Sequence, residues 1–488
     1  MISMLLCGEK IEMYHSLAAI QADLKLANTS CEALVKNYLA NIDNKKHLNA
    51  FVEVWADEAL QAAKIVDAKI KINTAGKLAG AVIGIKDVLC YRNHKVTSAS
   101  KILEGFESLY TATSVQRLLD EDAIIIGRLN CDEFAMGSSN ENSFYGNVLN
   151  DLDNTKVPGG SSGGSAVAVQ ADLCLATLAT DTGGSIRQPA SFCGIVGVKP
   201  TYGRISRYGL IAYASSFDQI GVFTKSVADV GLILQIMSGA DKNDSTCSQK
   251  QVENYLENIS NCDVSKLKIA YLPSTIESAG LDTEIKNRTL EILEQLKAQG
   301  ATVESAAFDK LDYLVPTYYV LTTAEASSNL ARFDGVRYGF RSPNATDLES
   351  VYKKTRSEGF GKEVKRRIML GTFVLSEGFY DAYYTKAQKV RRVVTNEMNT
   401  LFENYDFIVC PTTPTTAFGF GDKKDPIAMY LNDIYTVLAN IAGIPGISLP
   451  LGKHSNGMPF GFQIMSKKFS EEQLFSFSNW CMNNFSSN

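Results

Sequence analysis

The sequence predicts an α/β fold built around a largely buried sheet, on three observations. Short apolar runs bounded by glycine start near Ala79, helical patterns lie between them, and strand-helix-strand units recur further along the chain. Apolar runs of this length suit strands covered on both faces, and their alternation with helices is the signature of an α/β architecture.

Taken in order, the first 70 residues read as helices. Thr29 and Glu32 form a capping-box pattern, after which Leu34, Tyr38 and Ile42 recur at helical spacing. A second stretch, Val54 to Ile72, places apolar residues every three or four positions with charges between them, a solvated outer face. Strands are predicted at Ala81-Val82-Ile83-Gly84-Ile85 and Ala123-Ile124-Ile125-Ile126-Gly127, with a helical pattern over Val115 to Leu119. Cys174 to Ala179 is strand-like. Leu267 to Tyr271 reads as a strand, Glu284 to Gln299 as a helix closed by Gly300, and Ala301 to Glu304 as the next strand. The polar segment Asp241 to Ser265 marks a boundary or a surface excursion. Residues 309–405 are mostly helical, and no internal repeat is present.

At 488 residues the chain is long enough for about three domains or for one large core with insertions. Its net charge of −5 gives no basic surface for gripping nucleic acid, so any nucleic acid would be held by a partner. No apolar run approaches the roughly 20 residues of a membrane span. The start, Met1 to Cys7, is apolar but too short for a signal-peptide core, and Glu9 and Lys10 follow it. The reading is a cytoplasmic protein, a mitochondrial one being the alternative. Ten cysteines, from Cys7 to Cys481, show neither a C-x-x-C pair nor zinc spacing, and are expected to be buried reduced thiols. Histidines are scarce: His15, His47, His94 and His454.

The densest signal is a pair of glycine-serine loops. The first is Val157-Pro158-Gly159-Gly160-Ser161-Ser162-Gly163-Gly164-Ser165. The second is Asp181-Thr182-Gly183-Gly184-Ser185-Ile186-Arg187-Gln188-Pro189, its serine 24 residues after Ser161. A helix and a strand join them, so both are expected at one end of the sheet. A pair of flexible turns is the plain reading. A phosphate loop fails because no lysine follows the glycines, and a dinucleotide fingerprint fails on spacing. Gly159-Gly160-Ser161-Ser162-Gly163 does match G-x-S-x-G, but that fold needs a late histidine, and His454 sits in a turn-like Gly452–Gly457 segment. A base other than histidine is available in Lys86, which ends the apolar run at Ile85. Such a lysine is ordinarily a solvated strand end, yet desolvation at a strand mouth lowers its pKa and yields a neutral amine, as in Ser–Lys pairs.

These loops, together with Gly84-Ile85-Lys86-Asp87 placed 75 residues before Ser161, closely resemble the amidase signature family over about residues 15–465. The resemblance implies that family's fold, a central mixed twisted β-sheet covered on both faces by α-helices. It implies a single domain over 1–488, with a helical segment over about 1–75, a catalytic core over about 76–240 and an α/β substrate-pocket part over about 266–480. It also implies a Ser–cis-Ser–Lys triad, with Ser185 as nucleophile, Ser161 as proton relay after a non-proline cis peptide, and Lys86 as base. The N–H groups of Thr182, Gly183, Gly184 and Ser185 would form the oxyanion hole; Arg187 and Asp181 would brace the loop.

Within the family, Asp132 to Ser143, Lys199-Pro200-Thr201-Tyr202-Gly203-Arg204 and Arg332 to Gly339 are similar to the glutamine-hydrolysing A subunits of tRNA-dependent amidotransferases. That similarity implies ammonia release from glutamine for conversion of Glu-tRNA(Gln) to Gln-tRNA(Gln). Glutamine would be held by Tyr318, Arg367 and Asp433, with Tyr319, Arg366 and Asp425 as neighbouring alternatives. It implies a heterotrimer with B and C subunits, charged tRNA mainly on B, ATP and Mg on the partner, and no metal or other cofactor in this chain. The rival readings are a stand-alone amidase on small or acyl amides and an inactive scaffold. Two departures from the family pattern are noted: Val222 after Gly221, and Asn150-Asp151-Leu152-Asp153 beside the Ser161 loop.

Overall fold

The structure is a computed structural model and describes residues 14–423, 425 and 429–485. Met1 to Cys7, with Glu9 and Lys10, lies outside the described residues, as does Cys7 among the cysteines.

Eleven strands form one mixed sheet: β1 (Phe51–Val54), β2 (Val82–Lys86), β3 (Ile124–Leu129), β4 (Ala176–Thr180), β5 (Val196–Lys199), β6 (Ile220–Thr224), β7 (Lys268–Tyr271), β8 (Thr302–Ser305), β9 (Phe407–Pro411), β10 (Gly446–Lys453) and β11 (Pro459–Ser466). Their order across the sheet is β1-β3-β2-β4-β6-β5-β10-β11-β9-β7-β8. Parallel pairs join β3, β2 and β4 on one side and β9, β7 and β8 on the other; antiparallel pairs fill the middle. Every residue of β2, β3, β4, β5, β6 and β9 is buried, which is why Val82–Ile85 and Ile124–Ile126 read as apolar runs. Each fully buried Val or Ile of β2 contributes about 1.5–3 kcal/mol of transfer free energy.

β2 and β4 are parallel neighbours, Ile85 standing opposite Leu178. Their carboxyl ends, Lys86 and Thr180, therefore open at the same edge of the sheet. The helix Gly163–Gln170 is packed on both strands and delivers the Ser161 loop to that edge. A second apolar cluster gathers the helices Leu311–Asn329, Lys362–Val374 and Lys386–Asn404 with the short helix Val437–Ala442, and these build the far wall of the site.

Local expectations fail in two places. Phe51–Val54 is a strand, not helix: it pairs antiparallel with β3, whose free edge sets its conformation. The helix Cys31–Asn44 is capped by Ser30, whose hydroxyl accepts from Ala33 N–H, rather than by Thr29. Asp67 takes the N–H groups of Cys31 and Glu32, and the Glu32 side chain pairs with Lys36 instead of closing a capping box. Of the nine described cysteines, all free thiols, eight are buried and Cys262 is half-buried. Among the described residues no helix is long and apolar enough to cross a membrane.

Candidate active site

Lys86 is fully buried, and three hydroxyls surround its Nζ: Ser161 Oγ at 2.9 Å, Ser162 Oγ at 2.8 Å and Thr180 Oγ1 at 2.9 Å. Burial holds its pKa down to about 8, against the opposing pull of Cys131, Asp132, Asp181 and Asp218. Hydrogen-bond counting adds a constraint. A neutral amine has two N–H donors and one lone pair, so one of the three hydroxyls must donate to it. Ser162 spends its own hydrogen on Thr180 C=O at 3.0 Å. That leaves Ser161 and Thr180 to face the lone pair.

The Gly160–Ser161 peptide bond is cis. Gly160 N–H donates to Gln188 Oε1 at 3.0 Å, and Ser161 C=O accepts from Asp132 N–H at 3.0 Å, so both loops and the segment after β3 grip the turn. Ser185 is the solvent-reachable member of the three, 9 % exposed against 0 % for Lys86 and Ser161, and its hydroxyl has no partner among the described residues. A nucleophile must meet substrate, and a base only has to meet the nucleophile's proton; the gradient of exposure suits that division.

The Asp181–Ser185 loop is held from behind. Asp181 accepts from Gly184 N–H at 2.8 Å and pairs with the Arg187 guanidinium at 3.0 Å. Burial raises the Asp181 pKa, but Arg187 outweighs it and brings the carboxyl to about 2. Arg187 also donates to Thr436 C=O, Gln463 Oε1 and Asn440 Oδ1, and Asn440 donates back to Asp181 Oδ1 at 2.8 Å. Thr436 Oγ1 donates to Gly183 C=O at 2.7 Å, so the segment leading into helix Val437–Ala442 clamps the loop. The Gly184 N–H expected to point at an oxyanion is thus committed to Asp181. Those of Thr182, Gly183 and Ser185 have no acceptor among the described residues. At Gly183 a Cβ would lie 2.6 Å from Tyr318 Cζ, so the tyrosine ring rests directly on the loop.

Arg367 is 4 % exposed, and Arg366, at 41 %, faces outward. The Arg367 guanidinium donates to Glu363 Oε1 at 2.8 Å and to Tyr213 Oη at 2.9 Å, and lies 5.1 Å from the Tyr319 ring and 5.7 Å from that of Tyr430. Tyr319 stacks on Tyr430 at 3.9 Å and packs edge-on to Tyr318. Asp433 is buried and accepts from Ser138 Oγ at 2.6 Å; burial raises its pKa to about 7 despite that bond and the charge of Arg367. Asp425 is exposed. Tyr318, Arg367 and Asp433 thus share one buried aromatic enclosure above the Asp181–Ser185 loop, with Tyr319 in its wall.

Several residues of this arrangement carried no individual signal in the sequence reading. Ser162 and Thr180 complete the Lys86 cage. Glu363 precedes Arg367 by four residues, a helical pairing distance, which is the sign by which it was findable. Asp218 accepts from Thr182 Oγ1 at 3.0 Å and from Tyr213 N–H at 2.9 Å, bridging the loop to the tyrosine that touches Arg367; burial lifts it to about 7. Nothing about Ser216-Phe217-Asp218 marks it out in advance. His454 belongs to a turn, 3.3 Å from Glu284 and 3.4 Å from Asp282. Of the two departures from the family pattern, the second places Asp151 in an ion pair with Lys45 at 2.9 Å and leaves Leu152 exposed. Val222 sits in β6 opposite Leu178 and Val198, and Asn150 donates to the carbonyls of Val157 and Phe192.

Comparison with known proteins identifies the family. The family model described as Amidase matches residues 33–475. The A subunit of glutamyl-tRNA(Gln) amidotransferase from Chlorobium phaeobacteroides (strain DSM 266) is 49 % identical over 463 residues, covering 94 % of this chain and 97 % of that one. The crystal structure of the A subunit of glutamyl-tRNA(Gln) amidotransferase from Thermotoga maritima superimposes with a TM-score of 0.79 at 40 % identity, over 95 % of this chain and 94 % of that one. Native peptide amidase from Stenotrophomonas maltophilia shares the fold at a TM-score of 0.81 and 26 % identity, each chain 96 % covered. With its mixed sheet flanked by helices and a family match running through nearly all of its length, the chain belongs to the amidase family.

Proposed function

We propose that this chain is the glutamine-hydrolysing subunit of a glutamyl-tRNA(Gln) amidotransferase, supplying ammonia to partner subunits that hold ATP, Mg and charged tRNA. The observation that carries the reading is that a buried arginine, Arg367, and a buried carboxyl group, Asp433, not bonded to one another, stand in the same enclosure above the Ser185 loop. Free glutamine carries a carboxylate and an ammonium beside its amide, and such a site offers one group to each. The fold alone does not choose, because a peptide amidase shares it.

In this reading Ser185 Oγ attacks the side-chain amide carbon of glutamine. Its proton passes to Ser161 Oγ as the Ser161 proton moves to Lys86 Nζ. The developing oxyanion is met by the N–H groups of Thr182, Gly183 and Ser185, each such donor being worth about 3–4 kcal/mol in the transition state. Collapse breaks the C–N bond, the proton returns through Ser161 to the leaving nitrogen, and ammonia departs. The γ-glutamyl ester left on Ser185 is then attacked by water, which gives glutamate and restores the serine. No step needs a cofactor in this chain.

The test is ammonia release from glutamine by the purified chain, with and without its partner subunits. Turnover of hydrophobic amides with none of glutamine in either preparation would overturn the reading in favour of a stand-alone amidase. Ser185→Ala should abolish the covalent glutamyl adduct, detected by mass, without loss of folding, since its hydroxyl has no hydrogen-bond partner among the described residues.

A further inference from the structure

Away from the reaction centre, a cavity of about 550 Å³ opens beside the end of helix Val437–Ala442. Arg391, Arg392 and Lys468 converge on it, Tyr202 and Phe469 supply aromatic walls, and among the described residues no Asp or Glu lines it. Arg391 is anchored: its guanidinium donates to Ser216 Oγ and to Ser216 C=O, both at 2.8 Å. Glu325, the carboxylate that acts on it, is itself engaged by Ser216 N–H and hydroxyl. Arg392 and Lys468 have neither an ion-pair nor a hydrogen-bond partner among the described residues. Lys468 is half-buried, and its pKa is lowered, by burial first and then by the like charges of Arg391 and Arg392. Lys250 adds a further cation 4.9 Å from the Phe469 ring centroid.

Glu325 offsets Arg391 alone; Arg392 and Lys468 gathered beside it repel one another and oppose folding, and an anion in the cavity reverses the sign of each term. We propose that this cavity binds a small, multiply charged phosphate, held by Arg392 and Lys468 in the field of the anchored Arg391. The size suits a diphosphate or a mononucleotide, for which Tyr202 or Phe469 offers a stacking face. A long nucleic acid fits less well, since the chain as a whole carries a charge of −5 and the cations sit in one concave site rather than along a track. The inference stands apart from the reaction assigned above: none of Lys86, Ser161, Ser185, Arg367 or Asp433 lines this cavity.

The experiment is calorimetric titration of inorganic pyrophosphate, and in a second arm ADP, into the full-length chain at constant ionic strength. Saturable one-site binding is expected, weakened about tenfold or more in Arg392→Gln and in Lys468→Gln and unchanged in Ser185→Ala. Tighter binding of ADP than of pyrophosphate assigns a nucleotide, and the reverse a free phosphate; both uphold the site. Arg392 is exposed, so its variant keeps the test valid even if Lys468→Gln fails to fold. Absence of saturable binding overturns the proposal. So does undiminished binding by the Arg392→Gln/Lys468→Gln double variant, equal binding of sulfate, or binding confined to a long RNA.

Discussion

Lowering the pH from about 7 to about 6 will cut kcat/KM for glutamine roughly fifty-fold but that for glutaramate, which lacks the α-ammonium, only about ninefold. The difference follows from two buried groups. Lys86 must be neutral to accept a proton, and with its pKa at about 8 roughly one molecule in ten is competent at pH 7. For a solvated lysine that fraction is roughly three hundred times smaller. Asp433 must be ionised to hold an ammonium, and with its pKa at about 7 it loses roughly five-sixths of its ionised population over the same interval. Only glutamine feels both titrations. The assay is kcat/KM from ammonia release across about pH 6 to 9.5, in the complex with the partner subunits. Ser138→Ala removes a bond that favours the Asp433 carboxylate, and should move the steeper limb upward in pH for glutamine alone. Identical slopes for the two substrates would remove Asp433 from ammonium recognition. A profile flat from about pH 6 to 9 would remove the neutral amine from the mechanism.

Lys86 also makes a stability prediction. Its folded pKa of about 8 lies below that of the unfolded chain, so between the two values the unfolded state binds more proton and stability rises with pH, by about 3 kcal/mol in total. Urea denaturation should show this contribution as the difference between wild type and Lys86→Met, widening as pH rises from about 8 to about 10.5; the buried cysteines and tyrosines, whose raised pKa values act in the opposite direction, are common to both proteins. Gly183→Ala places a methyl 2.6 Å from Tyr318 Cζ, and kcat should fall at least about tenfold; wild-type turnover would disprove so close a contact. Arg367→Gln should raise KM for glutamine by roughly two orders of magnitude with little change for neutral amides. It should also lower stability by about 1–2 kcal/mol, the loss of one charged hydrogen bond, because Glu363 keeps Arg366 and Tyr430. A KM unchanged for glutamine would take the arginine out of substrate binding.

The legible part of the fold was the part whose environment is uniform. β2, β3 and β4 are buried from end to end, so Val82–Ile85 and Ile124–Ile126 could be read without knowing their neighbours. β1 was missed because four residues at an edge take their conformation from β3 and not from their own side chains. The order of the sheet, in which β4 pairs with β6 and β10 inserts beside β5, rests on pairings with no local trace. At the site, the two glycine-serine loops stood out in the sequence but left several readings open, and Lys86 read equally well as a solvated strand end; it was the resemblance to the amidase signature family that joined them. The second ring of contacts did not stand out. Ser138, Asp218 and Tyr213 are ordinary residues in the sequence, and reach the site only through bonds to Asp433, Thr182 and Arg367. The Asp181 side chain illustrates the limit. Its capture of Gly184 N–H subtracts one of the four expected oxyanion donors, and only coordinates reveal it.

Helix Val437–Ala442 has a further consequence. Asn440, within it, bonds Asp181, and Thr436 just ahead of it bonds Gly183, while Ile441 and Ala442 form a wall of the basic cavity. A helix of six residues therefore separates the loop beneath the substrate from a site where phosphate is proposed to bind. A body that short moves as one piece, so a phosphate whose binding displaced it would also displace the Asp181–Ser185 loop, and the two occupancies would then be thermodynamically linked. Linkage is symmetrical: a phosphate that strengthens glutamine binding by some factor must itself be bound more tightly, by that same factor, when glutamine is present.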